Sequence, residues 1–164
     1  MLFLMTILII VLDQVSKYAA AKYLKGGSPH IIIKNFFQLY YVENYGAAFG
    51  ILQNKKVFFI IITSIVIISI TFFLFRCSYS LNKLMKVSLC MLMGGAIGNL
   101  IDRIRLGYVV DFISIRFGSW YDFPVFNVAD MFVVTGTFLI MIMIIFNKYE
   151  IWGGNNGFIR NTSR

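Results

Sequence analysis

Four long apolar blocks run through this chain, separated by mixed stretches rich in aromatic and small polar residues. The blocks are Leu2 to Tyr23, Val57 to Phe75, Leu84 to Ile101 and Val128 to Phe146. Each is at or near the roughly 20 residues that an α-helix needs to cross a hydrocarbon core. The second block has only Thr and Ser as polar residues and reads as scaffold. The first and third are interrupted by charged and amide side chains. Between the blocks, Ile31-Ile32-Ile33, Phe36 to Val42 and Tyr108 to Ile115 are rich in β-branched and aromatic residues and predict strands. A hairpin or small sheet at the membrane surface suits that aromatic content. The fold expected is therefore an α-helical polytopic membrane protein, with four transmembrane helices and a small β-rich element at the membrane surface.

Composition agrees. The 164 residues are 59% hydrophobic and 13% charged, whereas a soluble domain is about half apolar and about a quarter charged. The length fits a single integral membrane domain over residues 1–164, with a flexible Gly- and Asn-rich tail at 152–164. Ala19-Ala20-Ala21 resembles a signal-peptide cleavage site. However, no Lys or Arg precedes the apolar core, and Asp13 and Lys17 interrupt it, so the first block reads as a span. The short loop from Arg76 to Lys86 has three basic residues and no acid, which places it and both termini in the cytoplasm. The net charge of +8 suits an anionic lipid surface, and the basic residues are scattered singly, which argues against nucleic acid. Cys77 and Cys90 lack metal-site spacing and read as packing residues. His30 reads as a solvated surface residue.

Candidate chemistry centres on Phe123-Pro124-Val125-Phe126-Asn127-Val128-Ala129-Asp130. Pro124 keeps the residues before it extended, Asn127 stands where a helix N-cap would, and Asp130 falls in the first turn of the last span. Such an acid either complements the helix dipole or is functional. A second acid, Asp111, lies between Val110 and Phe112, an unusual setting for a solvated carboxylate. In the first block, Asp13 and Lys17 are four residues apart and can pair on one helix face. Lys17 and Lys22 are long enough to snorkel to the interface, and Asp13 is not. Asn44 and Gly46 lie in a polar, turn-like stretch, Asn44 to Gly50. Gly94 and Gly98 are spaced for close helix approach. Asn99, Asp102 and Arg103 share one side of the third span. One histidine rules out a Ser/His/Asp set, and there is no metal cluster or phosphate loop. Carboxylate chemistry remains: two nearby aspartates share one proton and divide acid and base roles. A proton-coupled transporter and a lipid-binding assembly factor are rival classes. Against a transporter, Asp111 and Asp130 bracket one loop at one membrane face instead of stepping across the bilayer.

Four blocks, in order, resemble bacterial lipoprotein signal peptidase (signal peptidase II). They are Asp13-Gln14-Val15-Ser16-Lys17, Asn44 to Gly50, Gly94 to Arg103, and Val110-Asp111-Phe112 with Phe123 to Asp130. The resemblance implies an aspartic endopeptidase of the bacterial plasma membrane, with four transmembrane helices and a small extracytoplasmic β-rich cradle. Such an enzyme removes signal peptides from prolipoproteins just before a diacylglyceryl-modified cysteine. It implies Asp111 and Asp130 as the catalytic dyad. Asn44, Asn99, Arg103 and Asn127 become polar active-site residues, and Asp13 and Asp102 supporting acids. Lys17 and Gly46 belong to the same motifs. It implies no metal or other cofactor, lipid-modified prolipoproteins and membrane lipids as partners, a monomer, and a site near the extracytoplasmic face. The chain has no lipidation motif of its own at Cys77 or Cys90, so it is expected to process such substrates and not to be one.

Overall fold

The computed structural model describes residues 2–46, 53–118 and 120–148. In chain order the elements are α1 (Leu2–Tyr23), β1 (His30–Ile33), β2 (Phe37–Asn44), α2 (Lys56–Cys77), α3 (Lys83–Arg105), β3 (Val109–Phe117), β4 (Tyr121–Asp122) and α4 (Val128–Ile145). All four helices are long and apolar enough to cross a membrane. The strands form one antiparallel sheet in the order β1-β2-β3-β4. The four apolar blocks and the strand-like stretches thus fold as their patterns predict. One boundary differs: α3 continues past Ile101 to Arg105, so Asp102 and Arg103 are helical. The expected tail at 152–164 and the end of the Asn44–Gly50 motif lie outside the described residues.

α3 is the central helix and packs against α1, α2 and α4. Its glycines make that possible. A Cβ on Gly94 would come within 2.9 Å of Ile9 on α1, and one on Gly98 within 2.5 Å of an Asp13 oxygen. A Cβ on Gly95 would run into the Ala129 carbonyl of α4. On α4, Gly136 lies against the Ser88 carbonyl of α3. α2 is peripheral: it buries only Ile70 and Leu74 and leaves most of its apolar surface to the bilayer.

The bundle has two differently built ends. One holds an apolar core of Ile70, Leu74, Leu81, Met85, Leu89, Cys90, Met93 and Met143. Asn82 caps α3 there, accepting from the Met85 N–H at 2.7 Å and donating to the Lys148 carbonyl. Cys90 is fully buried in this core, as expected of a packing residue. The other end carries the sheet, seated on a smaller cluster of Ala20, Val110 and Phe112. His30 is exposed, at the start of β1. Gly107, at φ +90, ends α3 in the left-handed conformation and turns the chain into β3; its N–H returns to the Arg103 carbonyl at 3.2 Å.

The close approach of α3 and α4 yields a prediction. Gly95→Ala should destabilise the protein by about 1–3 kcal/mol, because the new methyl meets the Ala129 backbone as well as Val133 Cγ2, and the backbone cannot swing aside. Gly27→Ala, which meets only ordinary contact with the Leu24 carbonyl, should leave the melting temperature unchanged. Detergent melting curves of the two variants check the difference.

Candidate active site

The site forms where the sheet meets the ends of α1, α3 and α4. It is built outward from Lys17. The Lys17 ammonium lies 2.9 Å from Asp13 Oδ2, 2.9 Å from Asp102 Oδ2 and 2.8 Å from Asn99 Oδ1. Three N–H donors thus meet three acceptors, and the side chain is only 3% exposed. The expectation that Lys17 snorkels fails for that reason. Two carboxylates and an amide hold the ammonium inside the bundle, and reaching the interface would strip all three of their donor. The two acids, in turn, fix the backbone of other elements. Asp13 Oδ1 accepts from the Ala129 N–H in the first turn of α4 at 3.0 Å, and Asp102 Oδ2 accepts from the Val110 N–H of β3 at 3.1 Å. A carboxylate at a helix N-terminus also complements the dipole of α4.

Asn127 is the N-cap of α4 and is fully buried. Its Oδ1 accepts from the Asp130 N–H at 2.9 Å, and Asp130 Oδ2 accepts from the Asn127 N–H at 3.2 Å, a complete capping box. Helix-start acid and candidate catalytic acid are therefore the same group, and the two readings of Asp130 do not compete. The remaining polar atoms of Asn127 reach further: Nδ2 donates to Asp111 Oδ1 at 2.6 Å and to Asn99 Oδ1 at 3.2 Å. Asn127 thus bonds to both Asp111 and Asp130.

Three asparagines follow one rule. Asn44 accepts from the Gly46 N–H at 3.0 Å and donates to Asp111 Oδ2 at 2.8 Å. Asn99 accepts from Lys17 and donates to Asp130 Oδ1 at 2.7 Å. Asn127 accepts from the Asp130 N–H and donates to Asp111. In each, an N–H of the scaffold occupies the amide oxygen, so the amide NH₂ must turn toward a carboxylate. Arg103 is half-buried, with its guanidinium 4.8 Å from the Phe59 ring centroid and within long hydrogen-bond reach of the Asn99 and Gly46 carbonyls, at 3.4 and 3.5 Å. Asp111 is almost completely buried in β3. Burial, and then the charge of Asp130, push its carboxyl up to about 7.

The chain that carries this network is similar to known proteins in sequence and in fold. A family model described as signal peptidase II matches residues 5–146. The chain belongs to the signal peptidase II family. A lipoprotein signal peptidase of Caldanaerobacter subterraneus subsp. tengcongensis is 52% identical over 139 residues, covering 84% of this chain and 91% of that protein. One from Clostridium tetani is 48% identical over 136 residues, covering 83% and 86%. A bacterial membrane enzyme solved by the in meso method at 2.3 Å resolution superposes with a TM-score of 0.82 at 36% identity, covering 99% of this chain and 94% of that one. A second, at 1.9 Å resolution, gives 0.77 at 40% identity, covering 88% and 92%.

All ten motif residues named from the sequence of this signal peptidase II family member come together at one end of the bundle. Asp13, Lys17, Asn99, Asp102, Asp111, Asn127 and Asp130 form one hydrogen-bonded network, which Asn44, Gly46 and Arg103 join at its edge. Gly46 is buried and contributes backbone groups. Among the described residues no His/Cys/Asp/Glu group has the arrangement of a metal site. Sequence reasoning missed Gln14. Its Nε2 lies 3.2 Å from Asp13 Oδ2, 3.2 Å from the Gly98 carbonyl and 3.0 Å from Asp102 Oδ1, so it sits between the two acids that hold Lys17. The available signal was an amide next to an acid inside an apolar span. The Ala129 and Val110 N–H groups carry no sequence signal.

Lys17→Met should leave two buried carboxylates without their cation and destabilise the protein by about 3–5 kcal/mol. Adding Asp102→Asn to that variant should restore part of the loss, because a like charge is removed. Thermal melts of the single and double variants in detergent check this; additive losses would contradict it.

Proposed function

We propose that this chain is an aspartic endopeptidase that removes the signal peptide from diacylglyceryl-modified prolipoproteins just before the lipidated cysteine. Asp111 and Asp130 act as a pair. One takes a proton from the attacking water while the other gives its proton to the scissile carbonyl oxygen, and the two exchange roles as the amine leaves. The observation that carries this reading is Asn127, a single buried residue that donates to both carboxylates, to Asp111 from its side-chain amide and to Asp130 from its backbone N–H. With the Asp111 carboxyl pushed up to about 7, a proton is available there near neutral pH for the pair to share. Arg103, beside both acids, suits a substrate backbone carbonyl. Asp13, Lys17 and Asp102 hold the frame. The acyl chains of the substrate lie along the exposed apolar faces of the spans near the site, where remote binding energy positions the scissile bond.

The basic residues Arg76, Lys83 and Lys86 lie at the end opposite the sheet, which supports cytoplasmic termini and an extracytoplasmic site. The enzyme acts as a monomer in the bacterial plasma membrane, with no metal or other cofactor. The acids Asp13, Asp102, Asp111 and Asp130 gather at one end, and the opposite core contains no acid. That distribution disfavours a transmembrane proton relay.

Asp111→Asn and Asp130→Asn should each abolish cleavage of a lipidated precursor while leaving a folded, inserted protein. Asp122→Asn should cleave normally, because Asp122 is exposed and pairs with Arg116 at 2.7 Å, away from the network. Gel-shift processing assays with purified variants test this; a fully active Asp111→Asn would overturn the assignment.

The pH profile gives an independent check. Asp111 loses its proton as pH rises through about 7, and the proton needed for the acid role is gone. Cleavage rate should therefore fall on the alkaline side with an apparent pKa near that value. A rate that stays flat to pH 9 would contradict a proton-sharing dyad.

A further inference from the structure

The residues flanking Asn44 form a second polar cluster on the face of β2 turned away from the dyad. β2 pairs with β3 in the register Val42 to Asp111, Glu43 to Val110 and Asn44 to Val109, after an irregularity between Leu39 and Val42. Because strand side chains alternate, Asn44 shares the face of Asp111, while Tyr41 and Glu43 share the face of Val110, over α1. Glu43 takes three hydrogen bonds there. Oε1 accepts from Lys25 Nζ at 2.9 Å and from Tyr41 OH at 3.3 Å, and Oε2 accepts from Tyr45 OH at 2.9 Å. Tyr41 OH lies 3.2 Å from Tyr108 OH, and the rings of Tyr45 and Tyr108 have centroids 5.3 Å apart. One carboxylate therefore ties together the chain leaving α1, the end of β2, the residue after Asn44 and the turn between α3 and β3.

Stability alone is a poor explanation for this cluster. The Lys25–Glu43 pair is solvent-accessible, at 53% and 29% exposure, and such pairs contribute little. What the cluster does control is the backbone on both sides of Asn44. Asn44 has its own Oδ1 tied to the Gly46 N–H, so the direction of its NH₂ follows from the path of residues 43–46. Lys25 and then Tyr45 hold the Glu43 carboxyl down at about 2. Glu43 therefore stays charged wherever the dyad titrates, and its own ionisation does not mask a change in the pH profile.

We propose that Glu43 is a positioning residue for the dyad: by clamping Tyr45, Tyr41 and Lys25 it fixes the end of β2, and so the angle at which Asn44 Nδ2 meets Asp111. The inference rests on the dyad reading above. Asp111 is also faced by Asp130 of α4, Arg103 of α3 and Lys17 of α1. None of these touches Glu43; of the two side chains that donate to Asp111, Asn44 is the one adjoining Glu43 in sequence.

The test is a double-mutant cycle with a pH profile, using full-length enzyme and a lipidated precursor. Glu43→Ala should lower kcat about tenfold, the scale of one misaligned hydrogen bond. KM should stay within about twofold, because Tyr41 and Glu43 lie on the face of β2 turned away from Asp111. The alkaline limb should move to higher pH, since a loosened Asn44 no longer favours the ionised form of Asp111. In an Asn44→Ala background Glu43→Ala should cost nothing further. The same loss with and without Asn44, or a loss that follows the melting temperature while the limb stays fixed, overturns the proposal. So does an unaffected kcat. If Asn44→Ala is too slow to assay, the position of the limb in Glu43→Ala decides. Asp111→Asn is run alongside: if it still cleaves, the dyad reading fails and this inference fails with it. If it is inactive while Glu43→Ala matches the parent enzyme, only the positioning role is lost.

Discussion

A single buried ammonium organises this protein. A carboxylate at the centre of a membrane helix costs about 2.5–3.5 kcal/mol to insert, and the end of the bundle that carries the sheet gathers four carboxylates, three on helices and one on β3. Lys17 is the one cation bonded directly to this group among the described residues, and it meets two of the four, Asp13 and Asp102. Its third donor goes to the neutral Asn99. Asp13 and Asp102 then reach the Ala129 and Val110 N–H groups, so the charge that neutralises α1 and α3 also seats α4 and β3. Removing one partner would leave an uncompensated charge in a place with little water to receive it, which is why such pairs are costly to break even where they contribute little net stability.

The other two acids are treated differently, and the difference has chemical content. Asp111 and Asp130 are bonded by amides, from Asn44, Asn99 and Asn127, and not by a lysine. An ammonium against either would favour full ionisation and remove the proton they are proposed to share. Neutral donors fix the geometry of a carboxylate while perturbing its charge state less. The asparagines are themselves oriented by the scaffold, so the direction of every donor at the pair is set before substrate arrives. That is the kind of preorganisation that electrostatic catalysis needs.

Much of this was legible in the sequence. Four apolar blocks of membrane length give the helices, and β-branched and aromatic runs give the strands. The acids and amides that interrupt otherwise apolar segments, Asp13, Asn99, Asp102 and Asp130, stand out because hydrocarbon tolerates them only for a reason. Asn127 and Asp130 were legible as a helix start because capping is local chemistry. What could not be read was set by tertiary contact. Whether Lys17 turns outward or inward depends on Asp102, far along the chain. Gln14 carries no role until Gly98 and Asp102 are placed beside it. Glu43 carries no signal until Lys25 and Tyr41 are placed beside it.

The sheet also constrains how the chain is threaded. Its central pair joins β2 to β3, and between them in sequence lie α2 and α3, two complete crossings of the bilayer. Two strands can hydrogen-bond only if they emerge on the same side, so the number of crossings between them must be even. Loss of one of these spans would do more than remove a helix: it would send β3, with Asp111, to the opposite face from Asn44. Asn127 and Asp130 enter last, with α4, after both strands are in place. During synthesis, then, the frame around Lys17 can close before the dyad exists, and a partly inserted chain has no assembled pair of acids with which to cut.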